Sequence, residues 1–298
     1  MKARFIYNPR SGYNRRNPRL LEYAKRFIAT HDLDARLAPT ERPRHATELA
    51  LQALEDGCDL VVAIGGDGTM NEVASALVGS PAVFGLIPCG SGNGLGRHLG
   101  LAGTTESAFQ TLLDGEPRVI DTGSANGIRF FNTMGIGFDA EISDRFNRLS
   151  SRGLPAYIRT ALSTILRFRR QAYIIRSENA SIATDAFIIS VANSDQYGND
   201  CFIAPGASVD DGRLNLTVMK SIHVLNVVPM ALRLFTKSID QSSSVQRMVG
   251  THFVIERPAP GLIHTDGETH MTDARVDVTI HPRSLRIMAP PRPVAVSA

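Results

Sequence analysis

Leu60 to Ile64 is an unbroken apolar run, cut off by Gly65-Gly66-Asp67-Gly68 and followed by a helical pattern from Thr69 to Leu77. A continuous apolar run of strand length suits a strand buried on both faces. That setting belongs to parallel sheets covered by helices. The alternation continues on either side. Ala3–Tyr7, Asp34–Ala38 and Val83–Ile87 read as strands, and Leu20–Ile28 and Ala46–Leu54 have helical spacing. The first 120 residues therefore predict an α/β domain with a parallel sheet.

The second half reads differently. Ala172–Arg176, Ala186–Ala192, Arg213–Met219, His252–Glu256, Arg275–Ile280 and Leu285–Met288 look like strands, several with period-2 alternation, and Val224–Leu234 reads as a helix. This predicts a mostly antiparallel β second domain. At roughly 150 residues per domain, 298 residues suit two domains. The small, polar, turn-rich stretch Asp121–Gly127 marks the boundary. We place an α/β domain at 1–123 and a β-rich domain at 124–298, with the stretch after 282 a candidate to return to the first domain.

The glycine loops carry the chemistry. Gly65-Gly66-Asp67-Gly68-Thr69-Met70-Asn71-Glu72 follows a buried strand and opens a helix. Glycines let the backbone approach a phosphate, and a helix N-terminus offers unpaired N–H groups. Asp67 repels a phosphate, and makes sense if a divalent cation or a hydroxyl lies between. A tight strand–helix turn also favours Gly and Asp, but four such residues in five exceed what a turn needs. A second loop, Gly90-Ser91-Gly92-Asn93-Gly94, follows the next strand, and Asn8-Pro9-Arg10-Ser11-Gly12 follows the first. In a parallel sheet all three fall on the carboxyl edge, where ligands bind. The P-loop pattern is absent. Gly135-x-Gly137-x-x-Ala140 imitates a dinucleotide fingerprint, but the stretch where that motif needs a ribose-binding carboxylate, Ala161–Arg170, is basic.

These residues resemble the soluble diacylglycerol kinase-like lipid kinases, the superfamily that includes sphingosine kinases. Asn8-Pro9 with Ser11-Gly12, Gly65 to Thr69 with Asn71-Glu72, Ser91-Gly92-Asn93, Gly135 to Ala140, Asp211-Gly212 and Asp266-Gly267-Glu268 occur in the family's order and spacing. The resemblance covers most of the chain. It implies Mg²⁺-dependent transfer of the ATP γ-phosphoryl to a lipid hydroxyl, with ATP lying in a cleft between the two domains. Asn8, Pro9, Arg10, Ser11, Gly12, Thr40, Gly65, Gly66, Asp67, Gly68, Thr69, Met70, Asn71, Ser91, Gly92 and Asn93 then match nucleotide-contacting positions. Ser91 replaces the Thr common in bacterial members and keeps the hydroxyl.

By the same resemblance, one carboxylate of Asp266-Gly267-Glu268 is the general base, and which of the two stays open. Asp67 would order the Mg²⁺ or its water shell. A structural Mg²⁺ is implied at the Asp210-Asp211-Gly212 turn, held by Asp211 and the carbonyls of Ser208 and Arg213. A competing metal reading comes from alternation: on one regular strand His264, Asp266, Glu268 and His270 would share a face. Two further readings are an NAD kinase-like enzyme with a soluble acceptor and a non-catalytic nucleotide- or lipid-binding regulator.

Charge points to a surface rather than to nucleic acid. The formal net charge is only +3, yet residues 145–176 hold eight Arg and no Asp or Glu. Ile158, Ala161, Leu162 and Ile165 repeat there at helical spacing, giving a basic amphipathic segment suited to anionic lipid. The segment Arg145–Arg176 is thus the expected peripheral membrane contact. No nucleic-acid partner is expected, and a homodimer is compatible with the sequence. Three Cys at no metal-like spacing, no signal peptide and no spanning apolar run suit a cytoplasmic, peripherally membrane-associated protein.

Overall fold

The computed structural model describes residues 1–11, 14, 17–147, 164–165, 168–220 and 227–291. Two compact units emerge, one formed by Met1–Ile120 with the chain from Ser284 onward, the other by Asp121–Arg283.

The first unit is the expected α/β domain. Strands β1 (Lys2–Tyr7), β2 (Asp34–Pro39), β3 (Leu60–Gly65) and β4 (Val83–Pro88) lie in the order β2-β1-β3-β4, all parallel. Helices α1 (Pro18–Thr30), α2 (His45–Glu55), α3 (Asp67–Leu77), α4 (Gly94–His98) and α5 (Thr105–Asp114) connect and cover them. Every residue of β3 is buried, which is what its lack of polar positions demands. Phe109 of α5 packs against Phe5, Tyr23 and Phe27, centroids 5.0 to 6.4 Å away. The end of the chain's last strand adds a fifth parallel position, with Ile287 opposite Phe84.

The second unit is an antiparallel β sandwich. One layer runs β12 (Val245–Gly250), β11 (Leu214–Met219), β10 (Ile188–Ala192), β7 (Thr133–Gly137), β14 (Gly261–Thr265), β15 (Glu268–Thr272). The other contains β9 (Ser181–Ala186), β8 (Gln171–Ser177), β13 (His252–Glu256) and β16 (Arg275–Ala289), with β5 (Glu116–Ala125) on β16 and β6 (Ile128–Phe130) on β5. Their inward side chains, among them Ile136, Val191, Leu216, Phe253, Ile255 and Val278, form one core. Helix α6 (Phe138–Asn147) follows β7, and α7 (Val227–Phe235) lies over a smaller cluster with Phe138, Ile142 and Phe187.

Four details correct the sequence reading. Arg275–Ile280 and Leu285–Met288 belong to one fifteen-residue strand. Pro282 and Arg283 lie inside it, so the turn-like residues there do not end it. Asp121–Ala125 is not a turn but the buried end of β5, because Asp121 accepts N–H bonds from Gly212 and Arg283, each 2.7 Å. Ala186–Ala192 is broken at Phe187, whose N–H and carbonyl pair outside the strand, with Met219 and Phe138. The helix expected over Val224–Leu234 spans Val227–Phe235 in the described residues, and 224–226 lie outside them.

Candidate active site

In the first unit the loops after β1, β3 and β4 all leave the carboxyl edge of the parallel sheet, as β-α alternation requires. The β3 and β4 loops touch back to back. A Cβ on Gly90 would sit 2.8 Å from Gly66 Cα, and one on Gly66 would sit 3.1 Å from Gly90 Cα. Only hydrogen side chains allow that approach. A Cβ on Gly65 would fall 2.6 Å from the Thr69 side chain.

Polar contacts hold the pair. Asn93 stands at φ +52°, its Oδ1 accepts the Gly90 N–H at 2.7 Å, and its Nδ2 donates to the Gly90 carbonyl at 2.9 Å. That closes the Ser91-Gly92 tip, which Arg97 Nε also holds by donating to the Gly92 carbonyl. Asp67, first residue of α3, accepts the Asn93 N–H at 3.2 Å and so ties one loop to the other. Burial pushes its carboxyl pKa up, and the N–H groups of Asn93 and Gly94 pull it down by less.

The first loop is built by Asn8 and Asn14. Asn8 Oδ1 accepts the Arg10 N–H at 2.9 Å, and the Asn8 carbonyl accepts from Asn14 Nδ2 at 2.8 Å and from the Ser11 N–H at 3.3 Å. Thr40, buried at the end of β2, donates its N–H to the Tyr7 carbonyl and joins the same edge. Gly12 lies outside the described residues. Pro9, Gly68, Met70 and Asn71 complete the three loops and the first turn of α3. Glu72 has a supporting role that the motif alone does not reveal. Its carboxylate accepts the N–H groups of Arg44 and Ala46, and caps α2 from α3. Cys89 is buried, donates to the Ile87 carbonyl, and burial pushes its thiol up to about 12, so it is a packed side chain.

In the second unit Asp266-Gly267 is the two-residue turn of the β14–β15 hairpin, with φ of +49° and +86°. Both positive values identify the turn that Asp-Gly favours. The four residues expected to alternate on one face are therefore split by a turn. His264 points to Asp139, His270 Nε2 lies 2.9 Å from Thr265 Oγ1, and Glu268 is exposed. Among the described residues no group of three or more His, Cys, Asp or Glu is gathered as for a metal ion.

Asp266 and Glu268 stand in different surroundings. The Asp266 carboxylate accepts three consecutive N–H groups, from Phe131, Asn132 and Thr133, at 2.8, 2.9 and 3.0 Å. Its own N–H donates to the Thr133 carbonyl at 2.8 Å. Asp266 thereby anchors the turn, and Glu268 begins the next strand facing solvent. A largely buried set that sequence reading did not find supports the same turn. Tyr197 donates its hydroxyl to Asp139 Oδ2 at 2.6 Å, His264 Nε2 lies 3.0 Å from that oxygen, and the Gly267 N–H faces His264 Nδ1 at 3.4 Å. Gly135 is needed here, since a Cβ would come within 2.4 Å of both Asp139 and His264. The Gly135 to Ala140 motif is thus a bend from an antiparallel strand into a helix, not a dinucleotide site.

At the Asp210-Asp211-Gly212 turn, burial raises the Asp211 pKa, the N–H and the charge of Arg213 lower it, and the charges of Asp121 and Asp210 raise it. Asp211 Oδ1 accepts the Arg213 N–H at 2.9 Å.

Residues 2–125 match the family model of the diacylglycerol kinase catalytic domain, and residues 132–289 match that of the YegS C-terminal NAD kinase beta sandwich-like domain. An uncharacterised protein of Synechocystis is 31% identical over 79% of this chain and 56% of its own length. This chain therefore spans little more than half of that relative. A Mycobacterium tuberculosis protein named diacylglycerol kinase is 26% identical over 82% of this chain and 81% of its own. A crystal structure of a diacylglycerol kinase from Bacillus anthracis superposes with a TM-score of 0.75 at 21% identity, covering 97% of each chain, which shows the shared fold. With both of its units matched, in the order of the family's motifs, the chain belongs to the diacylglycerol kinase-like lipid kinase family.

Proposed function

We propose that this protein is an ATP- and Mg²⁺-dependent lipid kinase that transfers the γ-phosphoryl group to a lipid hydroxyl, of diacylglycerol or a sphingoid-type acceptor. The observation that carries the reading is Asp67, set where two interlocked glycine loops meet, its burial raising its pKa. A carboxylate placed among phosphate-binding loops is useful only with a cation beside it. Bound Mg²⁺ would neutralise phosphate charge there.

The chain's own groups supply the rest. N–H groups of the Gly66 loop and the start of α3 and the hydroxyls of Ser11, Thr40, Thr69 and Ser91 bind and orient the phosphates. Glu268 takes the acceptor proton as the new O–P bond forms, the bond from γ-phosphorus to its bridging oxygen breaks, and ADP leaves. Asp266, occupied by three N–H donors, positions Glu268 and is not the base.

The test is labelled phosphate transfer from ATP to a total lipid extract and, in parallel, to NAD, each with and without Mg²⁺. Mg²⁺-dependent labelled lipid supports the reading and names the acceptor. Labelled NADP replaces it with an NAD kinase-like enzyme, and no product in either arm replaces it with a binding regulator. Asp67→Ala should abolish turnover with the fold intact.

Peripheral membrane contact through Arg145–Arg176 belongs to the same proposal. Arg148, Arg152, Arg159 and Arg167 lie outside the described residues, while Arg169 and Arg170 are exposed. Among the described residues no helix is long and apolar enough to cross a membrane. Neutralising Arg159, Arg167, Arg169 and Arg170 together should weaken binding to anionic vesicles, most strongly at low salt. Unchanged binding would remove this part of the proposal.

A further inference from the structure

The second unit exposes apolar surface that its own packing does not use. Of eight exposed large apolar side chains among the described residues, three lie on α7: Val228 at 65%, Leu232 at 59% and Phe235 at 46%. Their spacing of four and three residues places them on one helix face. The opposite face is anchored, for Met230 is buried and Leu234 packs into the same small cluster. The helix is therefore seated on its inner face, with its apolar outer face left over.

Two features bear on what covers that face. The anchoring cluster also contains Ile165 and Phe168, and the Phe168 ring meets Phe138 and Phe187 edge-on at 5.6 and 5.2 Å. Arg169 and Arg170, both exposed, follow directly. The helix that carries the stripe and the residue that precedes these cations thus pack into one cluster. In addition, Lys220 to Ile239 contains no Asp or Glu and carries exposed Lys220 and Lys237, the Lys237 ammonium lying 4.2 Å from the Phe202 ring centroid. An apolar stripe with cations near it in the chain, and with its neighbouring acid Asp240 paired to Arg247, complements the headgroup and acyl boundary of an anionic bilayer. A second copy of the chain fits worse. Its cations would face their own kind, and three side chains fall well short of the about 800 Å² per partner that a stable interface buries.

We propose that the outer face of α7 is a membrane-docking stripe, in which Val228, Leu232 and Phe235 enter the headgroup layer while Arg169 and Arg170 meet lipid phosphates. It adds an apolar contact outside the basic segment to the lipid-kinase reading, and rests on that reading only for its purpose. Vesicle binding is measured without ATP, so a failure here is distinct from a failure to phosphorylate lipid.

The experiment is flotation of the full chain with phosphatidylcholine vesicles, with and without phosphatidylglycerol, at low and high salt. The variant Val228→Ser/Leu232→Ser/Phe235→Ser should keep its Tm and bind about tenfold or more weakly at both salts, since its loss is apolar. Arg169→Gln/Arg170→Gln should weaken binding at low salt only. The chain has no Trp, so Leu232→Trp supplies a lone indole whose emission should shift to the blue on phosphatidylglycerol vesicles. The proposal is overturned by wild-type protein that does not float, by equal binding of the triple Ser variant, or by an unshifted indole on bound protein. It is overturned too if the Ser changes only turn a dimer into a monomer in sedimentation.

Discussion

Asp67 and the Asp266–Glu268 pair show how burial and donors divide roles among chemically similar groups. Because burial raises the Asp67 pKa, this carboxyl takes up its proton at a higher pH than an ordinary Asp. An activity needing its ionised form should therefore fall off earlier on acidification. Saturating Mg²⁺ should move that acid limb of kcat/KM to lower pH, because a cation favours the carboxylate. Any stability the protonated form lends the fold is lost as pH rises through the raised pKa, so Asp67→Asn should not lower Tm at neutral pH. The other two acids should separate cleanly. Glu268→Gln should leave Tm unchanged and cut kcat by at least about a hundredfold, the usual weight of a general base. Asp266→Ala strands three N–H donors and should cost about 3 kcal/mol, seen as a Tm lower by several degrees. Asp-Gly-Glu reads from sequence as a tight turn with two acids. Which acid faces inward depends on donors more than 130 residues away, and no local pattern reports them.

Each loop takes its shape from a neighbour it touches. Gly90→Ala would place a Cβ 2.7 Å from Asn93 Oδ1 and 2.8 Å from Gly66 Cα. A backbone neighbour yields less readily than a side chain, so we expect a cost of about 1–3 kcal/mol. ATP binding, read by calorimetry, should weaken, because the two loops would be forced apart. The glycines were legible as loops because their flanking runs have strand and helix periods. Their contact was not, because it joins residues 24 apart across two strands. The turn support from Tyr197, Asp139 and His264 was hidden for the same reason: the three come from a loop, a helix start and a strand with no shared spacing. Tyr197→Phe should leave Asp139 without that donor and reduce kcat more than it raises KM. A purely structural role would move Tm alone.

At the scale of the molecule, β16 serves both units, its later residues completing the parallel sheet of the first. A chain ending at Arg283 loses buried Leu285, Ile287 and Ala289 and the carbonyl of Ser284 that accepts the Gly79 N–H. We expect β4 amides to lose protection in hydrogen exchange and the first unit to melt at a lower temperature, while β10 and β11 stay protected. Sequence alone determined the class of each unit, the three loops on one sheet edge and the residue types offered there. Period, glycine freedom and turn chemistry are local, so they can be read from neighbours in the chain. Only the tertiary structure decided that Asp266 is an anchor and Glu268 faces solvent, that Gly66 and Gly90 interlock, that two apparent strands are one, and that α7 keeps an apolar face outward. Each of these depends on groups far apart in the chain competing for the same donors or the same space, and a one-dimensional pattern carries no record of that competition.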